Sequence, residues 1–144
     1  AQPPLAPLPA MPLGDEIAIG VVGAHLSGMA LNHELASLGG RLLETAQTAP
    51  DYRLYALPTT PPKPGMLRIA PGEGVSVEIE VWALSAASFG QFVASVPAPL
   101  AIGTIALSDG RNVKGFIVES GATHDARDIS SFGGWRAYLA QSVD

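Results

Sequence analysis

Residues 17–28 read Ile-Ala-Ile-Gly-Val-Val-Gly-Ala-His-Leu-Ser-Gly, an apolar strand that runs straight into a glycine-flanked loop carrying one imidazole. A strand of this kind is buried, and the residues just past its carboxyl end lie at the rim of a sheet. There, backbone amides and one titratable side chain can face a small ligand. Function is therefore expected at that rim, with His25 as its first candidate.

The rest of the chain reads as further short elements. Leu31, Leu35 and Leu38 recur at helical spacing before Gly39 and Gly40 stop the helix. Residues 41–48 and 52–57 are expected to pair as an antiparallel hairpin around 49–51, although the first of them also fits a continued helix. Residues 59–65, rich in proline, read as a stiff surface loop before a short strand at 66–69. Val75, Val77, Ile79, Val81 and Ala83 alternate with Ser76, Glu78, Glu80 and Trp82, the clearest strand pattern here. Ser85 or Ser88 is placed to cap a helix with Phe89, Phe92, Val93 and Val96 facing inward, stopped by Pro97 and Pro99. Strands at 102–107 and 112–119 flank Asp109-Gly110, a hairpin turn. A terminal helix is expected to dock Trp135 and Leu139. Hairpin connections outnumber parallel crossovers, which points to an α+β domain: a small mixed, mostly antiparallel, barrel-like sheet with short helices.

Several function classes recede on composition. Eight Lys+Arg are scattered singly in a chain of 144 residues with net charge -5, so the basic stripe that nucleic acid needs is missing. No apolar run approaches the ~20 residues that cross a bilayer. The absence of cysteine removes disulfides and thiolate chemistry, and a cytoplasmic location is the default expectation. Residues 1–14, with prolines at 3, 4, 7, 9 and 12, read as a linker, and residues 15–144 as one domain cut from a longer chain.

Phosphate-loop, serine-elbow and helical zinc motifs are absent from the sequence, and nothing in the spacing of His25, His33 and His124 demands a metal site. His33 reads as part of a solvated helix face beside Asn32 and Glu34, and His124 as a loop residue. Spacing leaves His25 open between proton transfer and a structural hydrogen bond. Among the cations, Lys63 is held by Pro61, Pro62 and Pro64, while Arg53 and Arg136 each follow an aromatic residue and Arg68 lies between Leu67 and Ile69. An anionic ligand would use such groups, since the overall negative charge repels it. Arg136 equally suits bracing the terminal helix.

The segments Gly23-Ala24-His25-Leu26-Ser27-Gly28, Thr48-Ala49-Pro50-Asp51-Tyr52-Arg53-Leu54-Tyr55, Lys63-Pro64-Gly65-Met66, Phe89-Gly90-Gln91-Phe92, Pro97-Ala98-Pro99-Leu100-Ala101-Ile102-Gly103, Gly115-Phe116-Ile117-Val118-Glu119 and Asp128-Ile129-Ser130-Ser131-Phe132-Gly133-Gly134-Trp135-Arg136, in this order, closely resemble the carboxyl-terminal domain of allophanate hydrolase. The resemblance implies a fold like gamma-glutamyl cyclotransferase. Where cyclotransferases carry a Tyr-Gly-Ser-Leu type motif, this chain has Gly23, Ala24, His25 and Leu26. Their catalytic glutamate has no counterpart in residues 91–96, so cyclotransferase activity would need an acid from elsewhere, such as Glu80 or Glu119. The Ser-Ser-Lys signature of the amidase domain is also absent.

What the resemblance implies instead is decarboxylation of N-carboxycarbamate, a small anionic product made by an amidase domain of the same full-length chain in urea or triazine degradation. It casts His25 as proton donor, the amides of Gly23, Ala24 and Leu26 as a carboxylate cradle, and Lys63 or Arg53 as charge clamps, with Tyr52 and Arg136 as further contacts. No metal or organic cofactor is required. The competing expectation is a non-catalytic module that helps the amidase assemble, or forms a homo-oligomer, through the apolar segment around Phe132 and Trp135. A closed greasy cavity at His25 favours the second reading, and an open one lined by Lys or Arg favours the first.

Overall fold

The computed structural model describes residues 11–141. For residues 1–10 the expected linker lies outside the described residues. The described residues form two sheets and three short α-helices. Strands β1 (Glu16–Val21), β2 (Arg41–Gln47), β5 (Glu78–Ser85), β6 (Leu100–Ala106) and β7 (Asn112–Val118) make a five-stranded sheet in the order β2-β5-β1-β7-β6. Strands β3 (Tyr52–Leu57), β4 (Lys63–Arg68) and β8 (Arg127–Asp128) make a second sheet in the order β4-β3-β8. All pairings are antiparallel except β1 with β7. The fold is thus α+β and mixed as expected, but as two sheets rather than a closed barrel. Among the described residues no helix is long and apolar enough to cross a membrane.

Strand β1 is central, between β5 (Ile19 opposite Trp82) and β7 (Ile19 beside Lys114), which is why its sequence is apolar on both faces. Strand β5 is likewise covered on both sides: residues 79–84 are all buried, so its polar face at Glu80 and Trp82 meets protein rather than water. The second sheet lies against the first where Gly65 of β4 meets Val118 of β7; a Cβ there would sit 2.9 Å from Val118. Helices α1 (Asn32–Ser37), α2 (Ala86–Ala94) and α3 (Trp135–Gln141) contribute Leu35, Phe92 and Trp135 to the core. Ser85 Oγ caps α2 by accepting from the Ser88 amide at 3.2 Å, and Gly110 takes the left-handed conformation (φ +92°) in the β6–β7 turn.

Two expectations are corrected. Strands β2 and β3 do not pair: β2 pairs with β5, while β3 pairs with β4 and β8. The segment between them is drawn onto the β6–β7 hairpin, where Thr48 bridges Leu107 and the Ala49 amide donates to Ala106. The stiff loop at 59–65 also ends earlier than expected. Strand β4 begins at Lys63, opposite Leu57, so this lysine is fixed on a strand end.

Candidate functional site around His25

The loop after β1 is a chain of turns. Leu26 N–H donates to the Gly23 carbonyl (2.9 Å), Met29 N–H to Leu26 (2.9 Å) and Leu31 N–H to Ala24 (2.8 Å). Leu26 is fully buried, its amide is spent within the loop, and it cannot serve in a ligand cradle as expected. The N–H groups of Gly23, Ala24 and His25 are different: all three residues are buried, and none of the three amides finds an acceptor among the described residues. Unpaired amides at buried positions are uncommon, and consecutive ones form an anion-binding concavity. Glycine at 23 allows the close approach, because a Cβ there would overlap the Pro64 ring.

His25 is 7% exposed. Its ring stacks on Phe116 (centroids 5.1 Å, planes 14° apart) and meets Phe92 edge-on (5.1 Å, 83°). The Asn32 side chain donates to its carbonyl at 2.8 Å, and Glu34 Oε1 sits 2.7 Å from Nε2. Burial lowers the proton affinity of this imidazole, the hydrogen bond and charge of Glu34 raise it, and the positive charges of Lys63 and His33 lower it. The net effect is a pKa below the usual 6.5.

A cleft of about 150 Å³ is lined by His25, Glu34, Lys63, Phe92, Ser95 and Phe116, among others. It continues past His25 and Lys63 into a recess of about 20 Å³ beside Gly23, Ala24 and Pro64, enough for one water-sized group. At the other end Glu34, Phe92 and Ser95 border a shallow groove between α1 and α2. The cavity is therefore open and carries a lysine. Lys63 forms no ion pair among the described residues.

The structure brings Gly23, Ala24, His25 and Lys63 together and leaves the remaining expected contacts outside. Arg53 is exposed on β3 opposite Leu67, four residues from the strand end that carries Lys63, or about 13 Å along the strand. Tyr52 is fully buried, with its hydroxyl accepting from the Ala106 amide at 2.9 Å and Arg68 over its ring. Arg136 binds beneath the loop: Nη1 donates to Glu78 (2.8 Å), and Nη2 to the Ser27 carbonyl (2.7 Å) and to Glu80 (3.0 Å). Glu80 also accepts from the Ser27 amide, the Ser27 hydroxyl and the Trp82 indole, so it anchors the loop and lies outside the cleft. Glu119 is exposed.

Asn32 and Glu34 were expected on a solvated helix face with His33. His33 is exposed, but its two polar neighbours hold His25. The signal available in sequence was a carboxylate on the first helix after the histidine loop. Among the described residues no three His, Cys, Asp or Glu side chains gather as a metal site would require.

The model of the family described as "Allophanate hydrolase C-terminal domain" matches residues 17–140. Urea amidolyase of Lachancea kluyveri is 39% identical over 129 residues, covering 87% of this chain. A solved Kluyveromyces lactis allophanate hydrolase aligns with a TM-score of 0.83 and 38% identity over 88% of this chain and 21% of its own. A uropathogenic E. coli-specific protein gives a TM-score of 0.80 at 35% identity, covering 87% of this chain and 96% of that one. A solved gamma-glutamyl cyclotransferase aligns at a TM-score of 0.53 and 11% identity over 78% of this chain and 69% of its own, a likeness of fold alone. The chain spans 7% of the length of the curated relatives it matches.

Proposed function

Because the chain belongs to the family of allophanate hydrolase C-terminal domains, we propose that its His25 cleft accelerates the decarboxylation of N-carboxycarbamate. The reading further takes this dianion to be released from allophanate by an amidase domain in the same longer chain, in the cytoplasm, with urea or triazine breakdown as the source. The observation that carries it is the meeting, in one open cleft, of a buried imidazole with a lysine and a run of loop amides that find no ion-pair or hydrogen-bond partner among the described residues.

The chemistry asks for two things. One carboxylate must be held while the bond between nitrogen and the other carboxyl carbon breaks, and the nitrogen must gain a proton as it receives that electron pair. Carbon dioxide leaves and carbamate remains. The Gly23, Ala24 and His25 amides and Lys63 supply the holding groups, and the recess beside them admits one carboxylate oxygen. His25 supplies the proton. Its lowered pKa leaves the free ring neutral at pH 7, and an arriving dianion favours the imidazolium, so proton and substrate are taken up together.

The assembly reading leans on the apolar terminal segment, which is partly committed to the domain's own core. Trp135 is 3% exposed, and Phe132 packs on Tyr138 with centroids 5.4 Å apart. The cyclotransferase reading needs an acid in the cleft: neither Glu80 nor Glu119 lines it, and the acid that does, Glu34, is hydrogen-bonded to His25.

The test supplies allophanate to an amidase and adds this chain as wild type or His25→Ala, following N-carboxycarbamate and carbon dioxide by carbon-13 NMR. General acid catalysis is worth about 10²–10⁴-fold. The wild type should shorten the life of the intermediate and the variant should lose most of that effect. Decay at the spontaneous rate with both proteins overturns the reading.

A further inference from the structure

His25 has two ring nitrogens, and the reaction proposed above uses one of them. The aromatic cage does not choose. Stacking on Phe116 and the edge of Phe92 fix the plane of the ring, but a half-turn about its bond to Cβ leaves that plane unchanged while exchanging the polar edges. Among the described residues the only side chain that hydrogen-bonds the ring is Glu34, at Nε2. No buried side-chain nitrogen or oxygen among them lacks a partner, so Nδ1, for which no partner is found, keeps some contact with solvent, and the ring borders the cleft.

We infer that Glu34 is the positioning residue of this site: by accepting Nε2–H it fixes the ring's orientation and tautomer and leaves Nδ1 as the nitrogen that meets the ligand. The inference rests on the proposed function for the identity of the ligand, but its structural half stands without it. Asn32, two residues earlier on α1, binds the His25 carbonyl, so one helix holds both the backbone and the ring. A carboxylate that orients one imidazole nitrogen leaves the other free to give or take a proton.

The charged or titratable groups around the ring are few. Helix α1 contributes Glu34 and His33, and β4 contributes Lys63. Helix α2 contributes Phe92 and strands β6 and β7 contribute Leu100 and Phe116, all uncharged. Removing the charge of Glu34 therefore leaves burial, Lys63 and His33 acting on His25, all in the direction of a neutral ring. An opposite charge within hydrogen-bonding distance shifts such an equilibrium by about one unit or more. For the proton donor this is about a tenfold loss of rate at pH 7, recovered as the pH is lowered.

The experiment records nitrogen-15 shifts of the His25 ring in this chain above pH 8, then titrates the ring in wild type and Glu34→Gln. The wild type should show a protonated Nε2 and an unprotonated Nδ1. The variant should show mixed tautomers, a lower titration midpoint and a decarboxylation profile moved the same way. A wild-type spectrum with the proton on Nδ1, or a variant whose tautomer and pH profile match the wild type, overturns the inference. The wild-type spectrum needs no variant to fold. If decarboxylation is absent from the wild type while the tautomer is as expected, the functional reading fails and the positioning role of Glu34 stands.

Discussion

Replacing Arg136 with methionine keeps the aliphatic stem and removes the guanidinium that ties α3 to the underside of the His25 loop. Glu80, whose side chain is 5% exposed, is left with three uncharged donors, the Ser27 amide and hydroxyl and the Trp82 indole. The Ser27 carbonyl loses a donor at 2.7 Å. The Glu78 contact, with both side chains about one-third exposed, contributes little. Stripping the partner from a fully buried charge costs about 3–5 kcal/mol. Here the arginine is partly solvated and Glu80 keeps other donors, so about 2–3 kcal/mol is the expected loss. For a domain of this size that lowers Tm by about 6–10 °C.

A pH signature accompanies that loss. Burial raises the Glu80 pKa, but the Ser27 amide, the Trp82 indole, the Ser27 hydroxyl and Arg136 outweigh it and hold the carboxyl below its usual 4.5. A carboxylate depressed in this way contributes stability above its unfolded pKa, and that contribution disappears as pH falls through the folded value. Without Arg136 the proton is taken up at higher pH. The stability difference between the two proteins should therefore be full at pH 7 and shrink below about pH 4.5. Urea and thermal unfolding of both proteins at pH 7 and pH 4 measure it. A Tm change under about 2 °C, or a difference that is the same at both pH values, refutes the assignment of Arg136 as the loop's ionic anchor.

Two further perturbations probe the cleft with malonate, in which a methylene replaces the nitrogen of N-carboxycarbamate. Lys63→Met should weaken malonate binding about tenfold or more, as loss of a charge-assisted contact predicts, and flatten its dependence on salt; isothermal titration with an unchanged dissociation constant removes Lys63 from the site. Gly23→Ala sets a Cβ against the Pro64 ring, so it should cost about 1–3 kcal/mol and abolish tight malonate binding, whereas wild-type melting and affinity in this variant mean that the loop does not form the carboxylate cradle.

The fold was legible where local signals agree with tertiary structure. The β6–β7 hairpin announces itself through Asp109-Gly110, and the Ser85 cap and the glycines after α1 delimit their helices without help from distant residues. The β2–β3 connection misled because both segments suit strands and a short turn lies between them. Their partners, β5 and β4, are chosen by burial, which a local pattern does not contain. At the site, a strand ending in glycines identified His25 and its amides, and three flanking prolines identified Lys63. Glu34 was hidden because helix α1 is six residues long, and from sequence its polar residues look solvated. Arg53 and Arg136 were chosen by residue type. Sequence does not reveal that one is exposed at the far end of β3 and the other committed to Glu78 and Glu80.

The tie between Ser27 and Arg136 spans 109 residues, and that between Ser27 and Glu80 spans 53. Contacts of such sequence separation close late, because their loop entropy must be overcome before they return any stability. Within this domain β1 and the histidine turn precede in sequence, by about a hundred residues, the segment that braces them. The geometry of the cleft is therefore completed late in folding, and a variant lacking α3 would retain the groups that line the cleft while losing the brace beneath their loop.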